Sequence, residues 1–146
     1  MNTIKKSIEI TAPKDKVWAV LLEDSYNRDW FSAFGEGLSA DTDWVEGHKV
    51  AFMDKARNGI FGKVVTKLPY EKLSIMYEGL VVNGEEDYDS ENAKAVNGSE
   101  ETYELSEENG NTWLSVSSDT DEKNYEWMNA AWEKALQRIS ELSHAI

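Results

Sequence analysis

Few side chains in this sequence are suited to acid–base or metal chemistry. The chain contains two histidines and no cysteine, so disulfides, thiolate metal sites and cysteine nucleophiles are excluded. His48 follows Gly47 near the start of an expected strand, where a surface position is predicted, and His144 lies close to the last residue. Neither belongs to a motif with a second metal ligand or a nucleophile. We therefore predict no catalytic residue, no metal site and no cofactor.

The carboxylates are numerous, but no pair is marked as buried. Segment 87–98 begins with the spacing of a calcium-binding loop, yet Asn92 stands where that loop requires glycine and Gly98 where it requires a bidentate glutamate. A strong calcium site is therefore not expected. Glu78 and Glu104 should face away from the apolar side of the sheet. Solvated charge is the simpler interpretation of these side chains.

Aromatic side chains are the most informative group, with six Trp, six Tyr and four Phe. Aromatic residues bury large areas and dominate packing. For any one of them, ordinary core packing is the simpler interpretation. As a set, inward-facing residues could line an apolar pocket in which tyrosines and a threonine supply polar groups. The predicted ligand-binding residues are Phe34, Phe52, Val64, Thr66, Tyr77, Tyr103, Met128 and Trp132.

The elements that position these residues can be predicted from the spacing of apolar side chains. Ile4, Ile8 and Ile10 alternate with polar residues, which indicates a half-buried strand. Pro13 then suits the first turn of a helix. Apolar residues within 17–21 recur at helical spacing, and a second short helix is expected at about residues 25–34.

From residue 38 the apolar period changes to two, and we expect six to seven strands in all. Asn-Gly pairs at 58–59 and 109–110 predict tight turns, and residues 60–68 alternate cleanly. Segment 79–100 has no clear period and is interpreted as a long connection with one helical turn near 90–96. Residues 118–122 supply helix-cap candidates. A long terminal helix is predicted from apolar residues at three- or four-residue steps: Tyr125, Met128, Trp132, Leu136, Ile139 and Leu142.

These elements predict one α+β domain over residues 1–146, with a curved antiparallel sheet wrapped around the C-terminal helix. Two short helices follow the first strand. One helix cannot contact every strand of a strongly curved sheet at once. We therefore expect a cavity between the helix and the sheet.

The charge of the chain limits its partners. The net charge of −13 and the pI of about 4.5 disfavour binding to nucleic acids and to anionic membranes. No apolar run approaches the ~20 residues that a membrane span needs, and the N-terminal residues do not form a signal peptide. We expect a cytoplasmic protein, either a monomer or a weak homodimer, without membrane insertion.

Four stretches resemble a known superfamily. Ile10-Thr-Ala-Pro-Lys-Asp-Lys-Val-Trp-Ala-Val-Leu-Leu22, followed by Arg28-Asp-Trp-Phe31, is similar to the opening of the SRPBCC superfamily, the START-like or birch-pollen-allergen-like helix-grip proteins. Residues 62–77 and 132–136 resemble its branch related to the activator of the 90-kDa heat-shock-protein ATPase. The resemblance covers nearly the whole chain, and its loose patterns of core residues specify a fold more closely than a function.

The resemblance implies an apolar cavity that binds small molecules such as lipids, sterols or polyketides. Three hypotheses remain open. The first is a module that binds a small apolar or amphipathic ligand; the second is a co-chaperone-like module that binds a protein partner through its acidic surface. The third is an enzyme of the cyclase or hydrolase type. A buried carboxylate or histidine in the cavity would favour the enzyme, and a dry cavity of several hundred Å³ would favour the ligand-binding module.

Overall fold

The computed structural model describes all 146 residues as eight strands and four helices. The strands are β1 (Asn2–Ile10), β2 (Ser39–Asp41), β3 (Lys49–Met53), β4 (Gly59–Leu68), β5 (Lys72–Val82), β6 (Glu85–Asp87), β7 (Glu100–Glu108) and β8 (Asn111–Thr120). The helices are α1 (Lys14–Leu22), α2 (Asp24–Phe31), α3 (Glu91–Val96) and α4 (Tyr125–Ala145). None of these helices is both long and apolar enough to cross a membrane.

The strands form one open antiparallel sheet in the order β1-β8-β7-β5-β4-β3-β2, with β6 paired to β5. Helix α4 packs against β1, α1 and α2. The predicted α+β helix-grip architecture is thus confirmed, including the two short helices after the first strand. The sheet has eight strands, whereas six to seven were expected. Strands β2 and β6 are three residues each, too short to show a clear apolar period.

Side chains that follow α1 in the sequence donate hydrogen bonds to the C-terminal end of this helix. The carbonyls of residues 20–22 lie in its last turn, where a helix cannot satisfy them internally. The side-chain nitrogens of Trp30, Asn27 and Trp44 donate to them at 2.9, 2.8 and 3.1 Å respectively. These hydrogen bonds join α1, α2 and the following loop into one unit, and this unit forms one side of the interior.

An ion pair joins α2 to α4. The Arg138 guanidinium donates to both carboxylate oxygens of Asp29, from Nε at 2.6 Å and from a terminal nitrogen at 2.9 Å. These hydrogen bonds hold the pKa of Asp29 below its usual value. Because two parallel bonds fix relative orientation, the pair helps to set the angle of α4 over α2.

The pairing between β4 and β5 contains two irregularities. Register shifts occur between Phe61 and Gly62 and between Val64 and Thr66. At the first, the chains approach so closely that a Cβ on residue 62 would lie 2.1 Å from the Met76 carbonyl oxygen, so glycine is required there. At this first shift the extra residue is Glu78 of β5, and at the second it is Val65 of β4. The expectation of clean alternation over residues 60–68 is therefore wrong beyond Val64, because the bulge at Val65 turns the following side chains of β4.

Segment 79–100 is more regular than the sequence indicates. Strand β5 continues into it, and Asn83 and Gly84, with φ of 51° and 82°, form a tight turn into β6. Helix α3 follows, with the Ser90 hydroxyl accepting a hydrogen bond from the Ala93 amide at 3.1 Å. The predicted helical turn is confirmed, whereas the interpretation of the whole segment as a long connection is wrong.

The start of α4 also differs from the prediction. Residues 118–120 complete β8 and do not cap the helix. The N-cap is Asn124, whose side chain makes no capping hydrogen bond. The predicted apolar stripe is correct in its phase, since Trp132, Leu136 and Ile139 are all buried. Packing of this stripe, rather than a cap, therefore stabilises the helix.

Candidate functional site

A cavity of about 440 Å³ lies between α4 and the sheet. It is also bounded by α2, by the loop after α2, and by α3. Twenty-two residues line this central cavity, and 14 of them are hydrophobic. Its size and predominantly apolar walls are typical of small-molecule sites.

Six of the eight residues predicted to bind a ligand line the central cavity: Phe34, Phe52, Tyr77, Tyr103, Met128 and Trp132. Val64 and Thr66 do not. Val64 is completely buried in the general core, and Thr66 is half-buried beyond the bulge at Val65. The bulge shifts the register at this point, so Thr66 loses the inward position that strict alternation would give it.

Aromatic rings contact one another around the cavity. Phe52 lies between Phe31 and Tyr77, with ring centroids 4.9 and 6.2 Å away. Trp132 lies between Phe34 and Tyr103 at 4.9 and 6.0 Å. All four pairs are edge-to-face, the arrangement that aromatic quadrupoles favour. The walls are thus preformed, because each ring is held by another.

One carboxyl group, that of Glu101, lies within this apolar surrounding. Its residue is only 9% exposed and lines the cavity. The Tyr77 hydroxyl donates to Oε1 at 3.1 Å, and the Tyr103 hydroxyl donates to Oε2 at 2.5 Å. Burial raises the pKa of Glu101, while the hydrogen bonds from Tyr103 and Tyr77 oppose that shift. Burial together with the Glu101 charge raises the pKa of both tyrosines well above the usual value.

Glu101 is not among the residues predicted from the sequence to line the pocket. The interior was expected to contain apolar and aromatic side chains and no buried carboxylate, and this prediction is wrong at one position. The signal was present in β7, where Tyr103 and Leu105 face inward and the period of two places residue 101 on the same face. Glutamate is almost never fully buried without a partner. Residue type therefore predicted an exposed side chain at position 101, although the strand period predicted a buried one.

The more exposed side of the cavity is formed where β8 passes into α4. Asp119, Asp121, Asn124 and Trp127 line it there, and Trp127 is 56% exposed. Ala95 and Val96 of α3 line another part of the wall. No lysine, arginine or histidine is among the lining residues. Apart from the two tyrosines, the ionisable groups of the cavity are all carboxyl groups.

Both histidines lie outside the cavity. His48 is exposed, as predicted, and its Nδ1 lies 2.8 Å from Oδ2 of Asp43. The His144 ring lies 3.3 Å from the carbonyl oxygen of Thr11. No group of three or more histidine and carboxylate side chains is arranged to hold a metal ion.

Glu101→Gln should change how stability depends on pH. Because the folded-state pKa of Glu101 lies above the usual 4.5, the folded protein binds more protons than the unfolded chain between these two values. Wild-type stability therefore loses a contribution as the pH rises through that window. The variant lacks this loss, so its melting temperature should rise relative to wild type as pH increases. Thermal melts from pH 4 to pH 8 would measure the difference.

The matched control for this experiment is Glu104→Gln. Glu104 lies on the same strand but is exposed, and its replacement changes the net charge equally. Its melting temperature should follow that of wild type at every pH. A difference between Glu101→Gln and wild type that does not change with pH would show that Glu101 is solvated like a surface carboxylate.

Comparison with known proteins identifies the family. The sequence matches the family described as "Activator of Hsp90 ATPase homolog 1-like protein" over residues 11–144. The chain belongs to this family. The expected relationship to the heat-shock ATPase activator branch is thus confirmed. No curated protein matches the chain.

Solved structures of similar fold extend over the whole domain. A protein from Mesorhizobium loti, MLL2253, has a TM-score of 0.74 at 16% identity, with 97% of this chain and 96% of that chain covered. The Aha1 dimer from Colwellia psychrerythraea has a TM-score of 0.71 at 16% identity, with 97% and 95% covered. CalU16 from Micromonospora echinospora has a TM-score of 0.67 at 23% identity, with 97% and 75% covered. At these identities the likeness shows the fold.

Proposed function

We propose that this protein binds a small, largely apolar molecule in the central cavity. The observation that carries the proposal is the cavity itself, because a recess of about 440 Å³ with mostly hydrophobic lining residues is typical of small-molecule sites. A ligand that covers these apolar walls removes their surface from water. The preformed aromatic walls reduce the ordering that binding would require.

Binding should be driven mainly by removal of apolar surface from water, at ~25 cal/mol per Å². For a neutral probe such as decan-1-ol, we expect a negative heat-capacity change and an affinity nearly independent of salt. Titration calorimetry at several temperatures, in low and high salt, would measure both. A screen of sterols, flavonoids and fatty alcohols in which no compound binds would contradict the proposal.

A second candidate function, proton transfer on a bound molecule, is favoured by Glu101. A buried carboxyl group with a raised pKa can act as general acid or base. Catalysed exchange of the protons beside a ketone would test this, with decan-2-one incubated in deuterated buffer. Wild-type protein should accelerate deuterium incorporation and Glu101→Gln should not. Equal exchange with and without protein would leave binding as the function.

A further inference from the structure

We propose that the molecule bound in the central cavity is an amphipathic cation, with an apolar body and an amine or quaternary ammonium group. This inference rests on the proposed function and adds the class of ligand. It follows from the identity of the ionisable groups at the cavity. Glu101 and Asp121 supply negative charge there, and no cationic side chain does. The carboxylate of Asp119 instead accepts hydrogen bonds from the Thr3 hydroxyl at 2.7 Å and the Glu100 amide at 3.0 Å.

Glu101 has unused capacity to accept hydrogen bonds. Each carboxylate oxygen accepts one tyrosine hydroxyl, whereas an ionised carboxylate offers about four acceptor sites. Glu101 takes part in none of the salt bridges of the protein. A buried carboxylate is normally paired with a cation. Here the cavity beside it leaves room for a cation that belongs to a ligand.

The aromatic side chains around Glu101 favour the same class of ligand. Tyr77 and Tyr103 contact its carboxyl group directly, and each ring lies within 6.2 Å of a further ring, Phe52 or Trp132. A cation positioned over aromatic faces is attracted to their negative quadrupoles, and such cages recognise quaternary ammonium groups. Carboxylate and rings are thus grouped at one part of the cavity, while aliphatic and aromatic walls elsewhere suit the apolar body.

The same charges oppose anionic ligands. Fatty acids have tails that match the apolar walls, but their carboxylates would meet Glu101 inside and Asp121 near the exposed side. The net charge of −13 also attracts cations to the protein and repels anions. The expected order of affinity for one apolar chain is therefore cation, then neutral alcohol, then carboxylate.

Three decyl probes test this order: decyltrimethylammonium, decan-1-ol and decanoate, each kept below the concentration at which it forms micelles. At about pH 8, calorimetry should show the cation binding about tenfold more tightly than the alcohol, and decanoate binding most weakly. This comparison uses wild-type protein and needs no variant. Equal affinities for cation and alcohol, or tighter binding of decanoate, would overturn the inference and leave the proposed function standing. If none of the three probes binds, the inference is overturned, and the proposed function fails as well if the screen of sterols, flavonoids and fatty alcohols is also negative.

Glu101→Gln gives a second, independent measurement. The variant should lose about tenfold in affinity for decyltrimethylammonium and change less than about twofold toward decan-1-ol. Glu104→Gln, on the exposed face of the same strand, should bind both probes as wild type does. An unchanged preference for the cation in Glu101→Gln would show that Glu101 does not recognise it.

The pH dependence identifies the group responsible. Because burial raises the pKa of Glu101, lowering the pH from about 8 to about 5 increases its protonated fraction, so wild-type affinity for the cation should fall while affinity for decan-1-ol stays constant. Tyr77 and Tyr103 remain neutral over this range because their pKa values are raised. A pH response of equal size in Glu101→Gln would show that another group is responsible and would overturn the role of Glu101.

Discussion

Trp132→Ala should lower the free energy of unfolding by about 3–5 kcal/mol, the usual cost of truncating a large aromatic side chain in a core. Trp132 is 1% exposed and lies at the centre of the apolar stripe of α4. Its ring contacts Phe34 of the loop after α2 and Tyr103 of β7. The substitution therefore removes contacts between three parts of the fold at once. Chemical denaturation of the purified variant would measure the loss.

Trp127→Ala is the matched control for this substitution. Trp127 lies on the same helix but is 56% exposed, so the same change should alter the free energy of unfolding by less than about 1 kcal/mol. Similar losses for the two variants would contradict the assigned phase of α4. A small loss for Trp132→Ala alone would mean that the neighbouring rings collapse into the vacated space.

Met128→Trp should weaken binding of decan-1-ol by about tenfold or more while changing the free energy of unfolding by less than about 1.5 kcal/mol. Met128 is half-buried and enters the central cavity from α4. A larger side chain placed in a void displaces ligand volume without forcing packed atoms apart. Calorimetric titration and chemical denaturation of the same preparation would measure the two effects.

Met76→Trp is the matched control, because it makes the same residue change outside the cavity. Met76 lies on β5, is 37% exposed and does not line the cavity, so the variant should bind decan-1-ol as wild type does. Severe unfolding of Met128→Trp would indicate that α4 is packed tightly on the sheet, which would contradict the cavity. Unchanged binding by a stable Met128→Trp would place the ligand elsewhere.

The terminal helix and most of the sheet could be predicted because their local patterns agree with their burial. Trp132 and its neighbours at helical spacing share one face whatever the details of packing. The Asn109-Gly110 pair has φ of 56° and 82° and forms the predicted turn between β7 and β8. The equivalent pair Asn83-Gly84 was present in the sequence too. Polar residues around it concealed the hairpin, because β6 is short and largely exposed.

The site was less predictable because it depends on departures from local pattern. The bulge after Val64 removes Thr66 from the interior, and a bulge arises from strand pairing, which the sequence does not display. Glu101 is stabilised in the interior by two tyrosine hydroxyls, one of them from β5. Such hydrogen bonds offset the free-energy cost of burying a carboxyl group. They depend on which strands are neighbours, so residue type alone does not predict them.

The most direct test of the ligand-binding cavity uses the six tryptophans as reporters of position. Trp30, Trp127 and Trp132 line the cavity, whereas Trp18, Trp44 and Trp113 do not. Each indole N–H gives one signal in a nitrogen–proton correlation spectrum of labelled protein, and single substitutions assign the signals. Titration with decan-1-ol then shows where the molecule binds.

The predicted result is a progressive, saturable shift of the three cavity signals, with the signals of Trp18, Trp44 and Trp113 unchanged. Trp113 is the critical control, because it is 44% exposed on β8 and would report non-specific adhesion to the surface. No shift at any concentration below self-association of the probe would contradict the account. Shifts confined to Trp113 or to other signals outside the cavity would contradict it equally.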